Sequence, residues 1–547
     1  MRRTERAAYR TKFYSNLSSP TRFDEEPVNE VGGDRMDFRQ VLGTSNRRRL
    51  ELIELLYYNR QGVSSDAILN ELDCSLPILL NDISLINDLQ DDFIVEKSKG
   101  LHQVKLKEGI SIGKLYAEAL TNSLEFKIVE HLLYETSDNI EGLSKKLYLS
   151  SSNTQRYVKK IEIDLKRVGI QLCYRPLRIV GKESVVRHFY YRYFTEKQYT
   201  LKTVLPDLSE NHLKVIKNFV LEFIKINGMQ NQHIFQKRVA YNLFISLWRI
   251  KNKHAYPQEE LRTKPLLLPE GKTVEALSSM IKEVFQLTVS DELLRDCLWL
   301  SFSDSLIFSQ EHRKAALKDN PRYRKLFKKH TELTEDFTRL LGGALDEERK
   351  IELTTVLLNA TYLFDEKGDF LSILRKNRTI FLDMVAIMHQ HAVEKVTDIV
   401  EAFVHKYAIY QTRDFITTYV YLLLTEEEKS LELLASQDEP HHLLLVSDLT
   451  PTEEKFISRV ITQIVYGNFE IHHLDELWDS HEEMVKKVLS YDGLITTGPK
   501  EGIPKDFPFV SMDPYVTPQA IVAIQNLVND LSERKRDVLL SGNSINK

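Results

Sequence analysis

The stretch SSNTQRYVKKIEIDLKRVG, Ser151–Gly169, decides the reading of this chain. Placed on a helical wheel at about 100° per residue, Val158, Ile161, Leu165 and Val168 share one arc. Arg156, Lys159, Lys160, Lys166 and Arg167 fall opposite, with Ser152 and Ile163 on the same outer face. An apolar stripe buried against its own domain, with cations facing outward, is what a helix lying in a DNA major groove requires. Ser151 or Ser152 stands where a cap is expected, and Gly169 suits the left-handed position after a helix.

The neighbouring residues complete a winged helix-turn-helix. Ser123–Tyr134 and Ile140–Leu147 read as helices, and Tyr148–Ser151 as the turn. Ile170–Val180 alternates like a hairpin and closes at Gly181. The wing adds Arg175, Arg178 and Lys182. From Lys145 to Arg187 there are eleven Lys/Arg against Glu162, Asp164 and Glu183, a local charge of +8 in a chain whose net charge is −5. Such a footprint fits a polyanion. The residues expected at DNA are therefore Ser151, Ser152, Asn153, Thr154, Gln155, Arg156, Lys159, Lys160, Lys166, Arg167, Arg175 and Arg178.

The same order occurs once before. Asn46–Tyr58, Ser65–Leu72 and Leu76–Leu89 read as helices, and Phe93–Leu106 as two strands broken at Gly100. This earlier unit has seven acids and no Lys or Arg between Val63 and Val95. Phosphate would repel its third helix. Basic residues flank it at Arg47–Arg49 and at Lys97, Lys99, Lys105 and Lys107. Two roles stay open for it: an auxiliary contact through the wing, or packing and dimerisation.

Beyond Val185 the pattern is almost wholly helical to Leu424, with breaks at Pro265–Pro269 and Gly342–Gly343. The last hundred residues alternate short apolar strands with helices, which predicts a small parallel α/β domain. The fold class expected is mainly α and multidomain. The segments are a disordered leader at 1–36, winged units at 37–110 and 111–184, helical domains at 185–305 and 306–430, and an α/β domain at 439–547. Ordered-looking sequence begins after Met36, which reads as a start.

At 547 residues, with 42% hydrophobic and 28% charged residues, the chain has the composition of a soluble multidomain protein. Its three cysteines, Cys74, Cys173 and Cys297, are scattered, which argues against disulfides or a thiolate metal site and fits a cytoplasmic location. No apolar run is long enough to span a membrane. Phosphate-binding glycine loops and HExxH are absent, and Asp365–Asp369 lacks the further ligands of a calcium loop. His441–His442 and His472–His473 bracket the early strands of the α/β domain. A metal is chemically open to them, but they read as surface pairs. Neither a cofactor nor a catalytic set is expected.

The whole order resembles the Mga family of virulence regulators from Gram-positive bacteria. The resemblance is carried by SSNTQRYVKKIEIDLKRVGIQLCYRPLRIVGKESVVRHFYYRYF and spans nearly the whole chain from about Asp37. It implies helical domains similar to phosphotransferase-system regulation domains and a C-terminal unit similar to enzyme IIB. It also implies transcriptional control tuned by carbohydrate supply. The partners implied are duplex DNA, further copies in a homodimer or higher oligomer, a phosphocarrier and RNA polymerase. Departures are plain. Val446-Ser447-Asp448 stands where enzyme IIB has its phosphoacceptor cysteine, so that domain reads as a docking or dimerisation module. Asn242 in YNLFISLWRI and Asn359 in LLNATYLF stand at places of regulatory histidines. Any phosphohistidine must then be sought among His188, His233, His312, His389 and His391. Two other classes stay open: an RNA-binding antiterminator, which would need a small β-rich RNA module, and an enzyme at the C-terminal strand ends.

Overall fold

The structure is a computed structural model. It describes residues 38–543 apart from 61, 90–91, 198–207, 230–232, 262–265, 303–305, 308, 363–372, 376, 410–412, 437–438, 475–480, 499–501 and 505. The expected leader and the Asp365–Asp369 motif lie outside the described residues. The chain forms two compact units, Met1–Arg324 with Thr361–Lys376, and Lys325–Ala360 with Asn377–Lys547.

The first unit holds both winged motifs. Helices α1 (Thr44–Tyr58), α2 (Ser65–Glu71) and α3 (Leu76–Leu89) lead into β2 (Phe93–Ser98) and β3 (Leu101–Leu106). The short β1 (Val63–Ser64) pairs with β3 in a sheet of order β1-β3-β2. Helix α4 (Ile112–Asn122) connects to the second motif, α5 (Leu124–Tyr134), α6 (Ile140–Leu147), α7 (Ser151–Arg167), β4 (Gln171–Tyr174) and β5 (Leu177–Val180). The two interhelical turns are built alike. Asp73 and Tyr148 each take a positive φ, 44° and 55°. In each, an amide donates five residues back: Cys74 to the Leu69 carbonyl and Leu149 to the Ser144 carbonyl, at 3.2 and 3.0 Å. That bond satisfies a carbonyl the ended helix leaves open and sets the angle of the next helix.

Helices α8 (Glu183–Glu196), α9 (Glu210–Ile226), α10 (His233–Lys251), α11 (Lys272–Phe285), α12 (Asp291–Cys297), α13 (Trp299–Phe302) and α14 (Gln310–Asp319) continue this unit. Its buried core is continuous from Phe38 through Leu306 and includes Ile373 and Leu374. The first unit runs on to Arg324, and 361–376 returns to it. The reason is local. The buried Glu196 carboxylate accepts the N–H groups of Ile373, Leu374 and Arg375 at 2.6, 2.7 and 3.1 Å. Arg39 donates to the Leu374 carbonyl at 2.9 Å through Nε.

In the second unit, α15 (Pro321–Leu340), α16 (Glu347–Tyr362), α17 (Asn377–Tyr407), α18 (Arg413–Glu426) and α19 (Ser430–Ser436) precede the α/β part. Helix α17 is kinked at His389, where φ is −138° and ψ 44°. The strands β6 (His441–Val446), β7 (Phe469–His473), β8 (Gly493–Thr496) and β9 (Phe509–Ser511) form an all-parallel sheet of order β7-β6-β8-β9. Helices α20 (Pro451–Ile464), α21 (His481–Val488) and α22 (Pro518–Asn543) complete it. Leu443 and Leu445 face one core with α20 and α22, while Leu444 faces a smaller one with Val488 and Leu494. Both faces are covered, as parallel sheets require. Among the described residues no helix is long and apolar enough to cross a membrane.

Candidate nucleic-acid interface

Helix α7 is anchored from below. Val158, Ile161 and Leu165 have no exposed surface, and Val168, Ile170, Leu177 and Ile179 continue the same core. Its cap is Ser150, one residue before the pair expected from sequence, whose Oγ accepts the Asn153 amide at 3.3 Å. Gly169 takes a φ of 77° after the helix, where a side chain would be strained.

Facing outward, Ser152, Arg156, Lys159, Ile163 and Lys166 are all exposed. Their spacing alternates four and three, so they form one stripe about 21 Å long. Ser151, Asn153 and Gln155 are exposed beside its amino end, the part of a recognition helix that meets base edges. Ile163 is 53% exposed, an apolar group of the kind that packs on a thymine methyl.

Three expected DNA residues are held by other partners, and a fourth is half-buried. Thr154 is fully buried, and its hydroxyl donates to the Ser150 carbonyl at 3.1 Å. Lys160 is half-buried and donates to the Leu42 carbonyl at 2.5 Å; burial pulls its ammonium below the ordinary lysine value. Arg167 donates to Gln40 Oε1 at 2.9 Å and to Asp164 at 3.1 Å. Arg178 is half-buried on β5. Lys166 stays exposed while pairing with Glu162 at 2.8 Å. The partners Leu42 and Gln40 come from the segment before α1, far from α7 in sequence, so the wheel could not assign them.

The wing is tied to the helix. Tyr174 donates its hydroxyl to Glu162 at 2.6 Å, and burial with this bond pushes its phenol up to about 12. The bonds from Lys166 and Tyr174 hold the Glu162 carboxyl below its ordinary value. Arg175, at the hairpin tip, is exposed on the same motif. Tyr148, in the turn before α7, is 96% exposed and was not singled out from sequence.

Arg187 does not belong to the cationic surface. It is fully buried and reaches Glu183 at 3.0 Å, Asp296 at 2.6 Å and Ser246 at 3.0 Å. Arg249, equally buried, reaches Glu183 at 2.5 Å, Glu135 at 3.4 Å and the Ile179 carbonyl at 3.3 Å. Burial alone would raise the Glu183 carboxyl, but Arg249 and Arg187 outweigh it and hold it below the ordinary value. Burial keeps Asp296 above its ordinary value despite Arg187. This network joins the winged motif, through Glu135, Ile179 and Glu183, to α10 and α12.

The first motif presents a different face. Asp82 of α3 is buried and neutralised by Arg48 at 2.6 Å and Arg49 at 3.4 Å, so those arginines are committed inward. Leu76, Ile78 and Leu80 are exposed on α3. In the wing, Lys97, Lys99 and Lys107 are exposed, and Lys105 pairs with Glu96 at 2.6 Å.

The histidines considered for phosphorylation are scattered. His312 is 2% exposed, which withholds its ring from a protein partner. His188 is half-buried against Tyr191, and His389 against Tyr466 at the α17 kink. His391 is half-buried, and His233 is exposed at the start of α10. Asn242 is buried, with its amide donating to the Arg238 carbonyl at 2.9 Å, and Asn359 is half-buried on α16. Ser447 donates to Glu454 at 2.6 Å.

Residues 108–194, which run from α4 through α8, match the Mga helix-turn-helix domain. The chain is 22% identical over 466 residues to a chain assigned as a trans-acting regulator in Streptococcus pneumoniae serotype 4, covering 82% of this chain and 90% of that one. It is 29% identical over 210 residues to the capsule synthesis positive regulator AcpA of Bacillus anthracis, covering 38% and 43%. Over 104 residues it is 28% identical to the anthrax toxin expression trans-acting positive regulator of the same species, covering 19% and 21%.

Proposed function

We propose that this chain is a transcription regulator of the Mga type that binds duplex DNA through its second winged motif. The observation that supports this reading best is the exposed stripe on α7. Ser152, Arg156 and Lys159 stand over the first turns, with Arg175 on the adjoining wing. Arginine is the side chain best suited to the paired acceptors of guanine, and lysine to phosphate. The first motif carries no comparable face and serves packing or assembly.

Arg249 belongs to the WRI segment of the helical domain, and its bonds to Glu183 and Ile179 give that domain a route to the reader. Response to carbohydrate supply would act along this route. Among the five histidines, exposed His233 at the start of α10 is best placed for a phosphocarrier. Two experiments test the parts separately. Selection from random duplexes should enrich one sequence with wild-type protein. Genome-wide mapping of bound DNA with and without a preferred sugar should shift occupancy if the carbohydrate link holds. Failure to enrich any duplex would overturn DNA reading.

A further inference from the structure

The parallel register of β6 and β7 sets His442 beside Glu470 and Leu444 beside His472. Alternation along each strand then places His442, Glu470 and His472 on one face of the sheet. Their ligating atoms all lie within 4.8 Å of one another. His442 Nδ1 and His472 Nε2 are 2.9 Å apart, and Glu470 Oε2 is 3.5 Å from the first and 3.7 Å from the second. Those last distances are long for hydrogen bonds, and the carboxylate converges on both imidazoles within ion-pair reach. A tetrahedral ion with bonds of about 2.0–2.1 Å has ligand–ligand edges of about 3.3–3.4 Å, and the three separations bracket that value. The turn after α21 supports the arrangement. Asp492 Oδ2 accepts the His442 amide at 2.7 Å, and the Tyr491 ring lies 5.3 Å from that of His472.

We propose that His442, Glu470 and His472 bind a divalent transition ion of the zinc type. Two imidazoles and one carboxylate supply three donors, and water completes the shell. Imidazole nitrogen selects such ions over magnesium or calcium, which take oxygen ligands. The ion bridges β6 to β7, the outer strand of the sheet, and so clips an edge in place. It does so at the amino end of β6, about 16 Å along the strand from Ser447 at its carboxyl end. The site is thus separate from the place where enzyme IIB would carry phosphate.

The full chain should be titrated with Co²⁺ by visible absorption and with Zn²⁺ by calorimetry. One equivalent should bind with the intense spectrum of tetrahedral Co²⁺, and thermal unfolding should move upward. His442→Ala and His472→Ala should each weaken binding roughly 100-fold or more, since even outer-shell losses cost 10–100-fold. His405→Ala, an exposed histidine elsewhere in the same unit, should leave it unchanged. Glu470→Gln keeps size and shape, so its weaker binding reads the site even if an alanine variant misfolds. Equal affinity in wild type, Glu470→Gln and the His442→Ala/His472→Ala pair, or no binding by wild type at micromolar metal, overturns the proposal.

Discussion

Replacing Arg249 with leucine should separate the winged motif from the helical domain that supports it. The guanidinium is fully buried and donates to both Glu183 oxygens, at 2.5 and 3.2 Å, and to the Ile179 carbonyl at 3.3 Å. Its removal leaves Arg187 alone to serve both Glu183 and Asp296. Breaking a buried pair from one side costs about 3–5 kcal/mol. At about 2.1 cal/mol/K per residue, a unit of roughly 300 residues should melt about 5–8 °C lower. The loss should also depend on pH. In wild type the depressed Glu183 carboxyl contributes stability above the ordinary carboxylate range, and this is lost as pH falls through its folded value. In the variant only Arg187 opposes burial, so Glu183 titrates higher than in wild type and protonation relieves the buried charge as pH falls. The gap between the proteins should therefore narrow on acidification. Calorimetry of both proteins at pH 7 and pH 5 measures it. A melting temperature within 1 °C of wild type at pH 7, or a gap that widens on acidification, refutes the reasoning.

Three further outcomes follow from the interface. Ser150→Ala removes the α7 cap and should cost about 1 kcal/mol in denaturant unfolding, with a weaker effect for Ser150→Gly. Tyr174→Phe frees the wing from Glu162; it should cost about 0.5–1.5 kcal/mol of stability and raise amide exchange across β4 and β5. Neutralising Lys97 and Lys99 together should leave the salt slope of duplex binding unchanged, since a first motif used for packing makes no phosphate contact; a drop of about one unit or more would show that its wing touches DNA.

Much of this was legible because it is local. The α7 stripe, the hairpin at Gly100 and the alternation of strands and helices after His441 all follow from periodicity within a few residues. The parallel sheet followed too, since such alternation has few other solutions. Contacts distant in sequence were not legible. Nothing in KKIEIDLKR tells Lys159 from Lys160; the Leu42 carbonyl does. Arg187 reads as another surface cation until Asp296, far along the chain, buries it. His441–His442 and His472–His473 look like interchangeable pairs. The β6–β7 register sorts them, turning His441 toward Ser532 and gathering His442 and His472 with Glu470. Register and tertiary packing, not composition, choose which polar groups can act.

The central claim is that the outer face of α7 reads DNA. Its direct test is the affinity of a selected duplex for wild type and for Arg156→Ala/Lys159→Ala, measured by fluorescence anisotropy across a salt series. Both side chains are exposed, so the fold should be retained. Loss of a base contact at Arg156 should cost about 1–3 kcal/mol, and loss of a phosphate contact at Lys159 should reduce the salt slope by about one unit. An unchanged affinity and an unchanged slope would contradict the account.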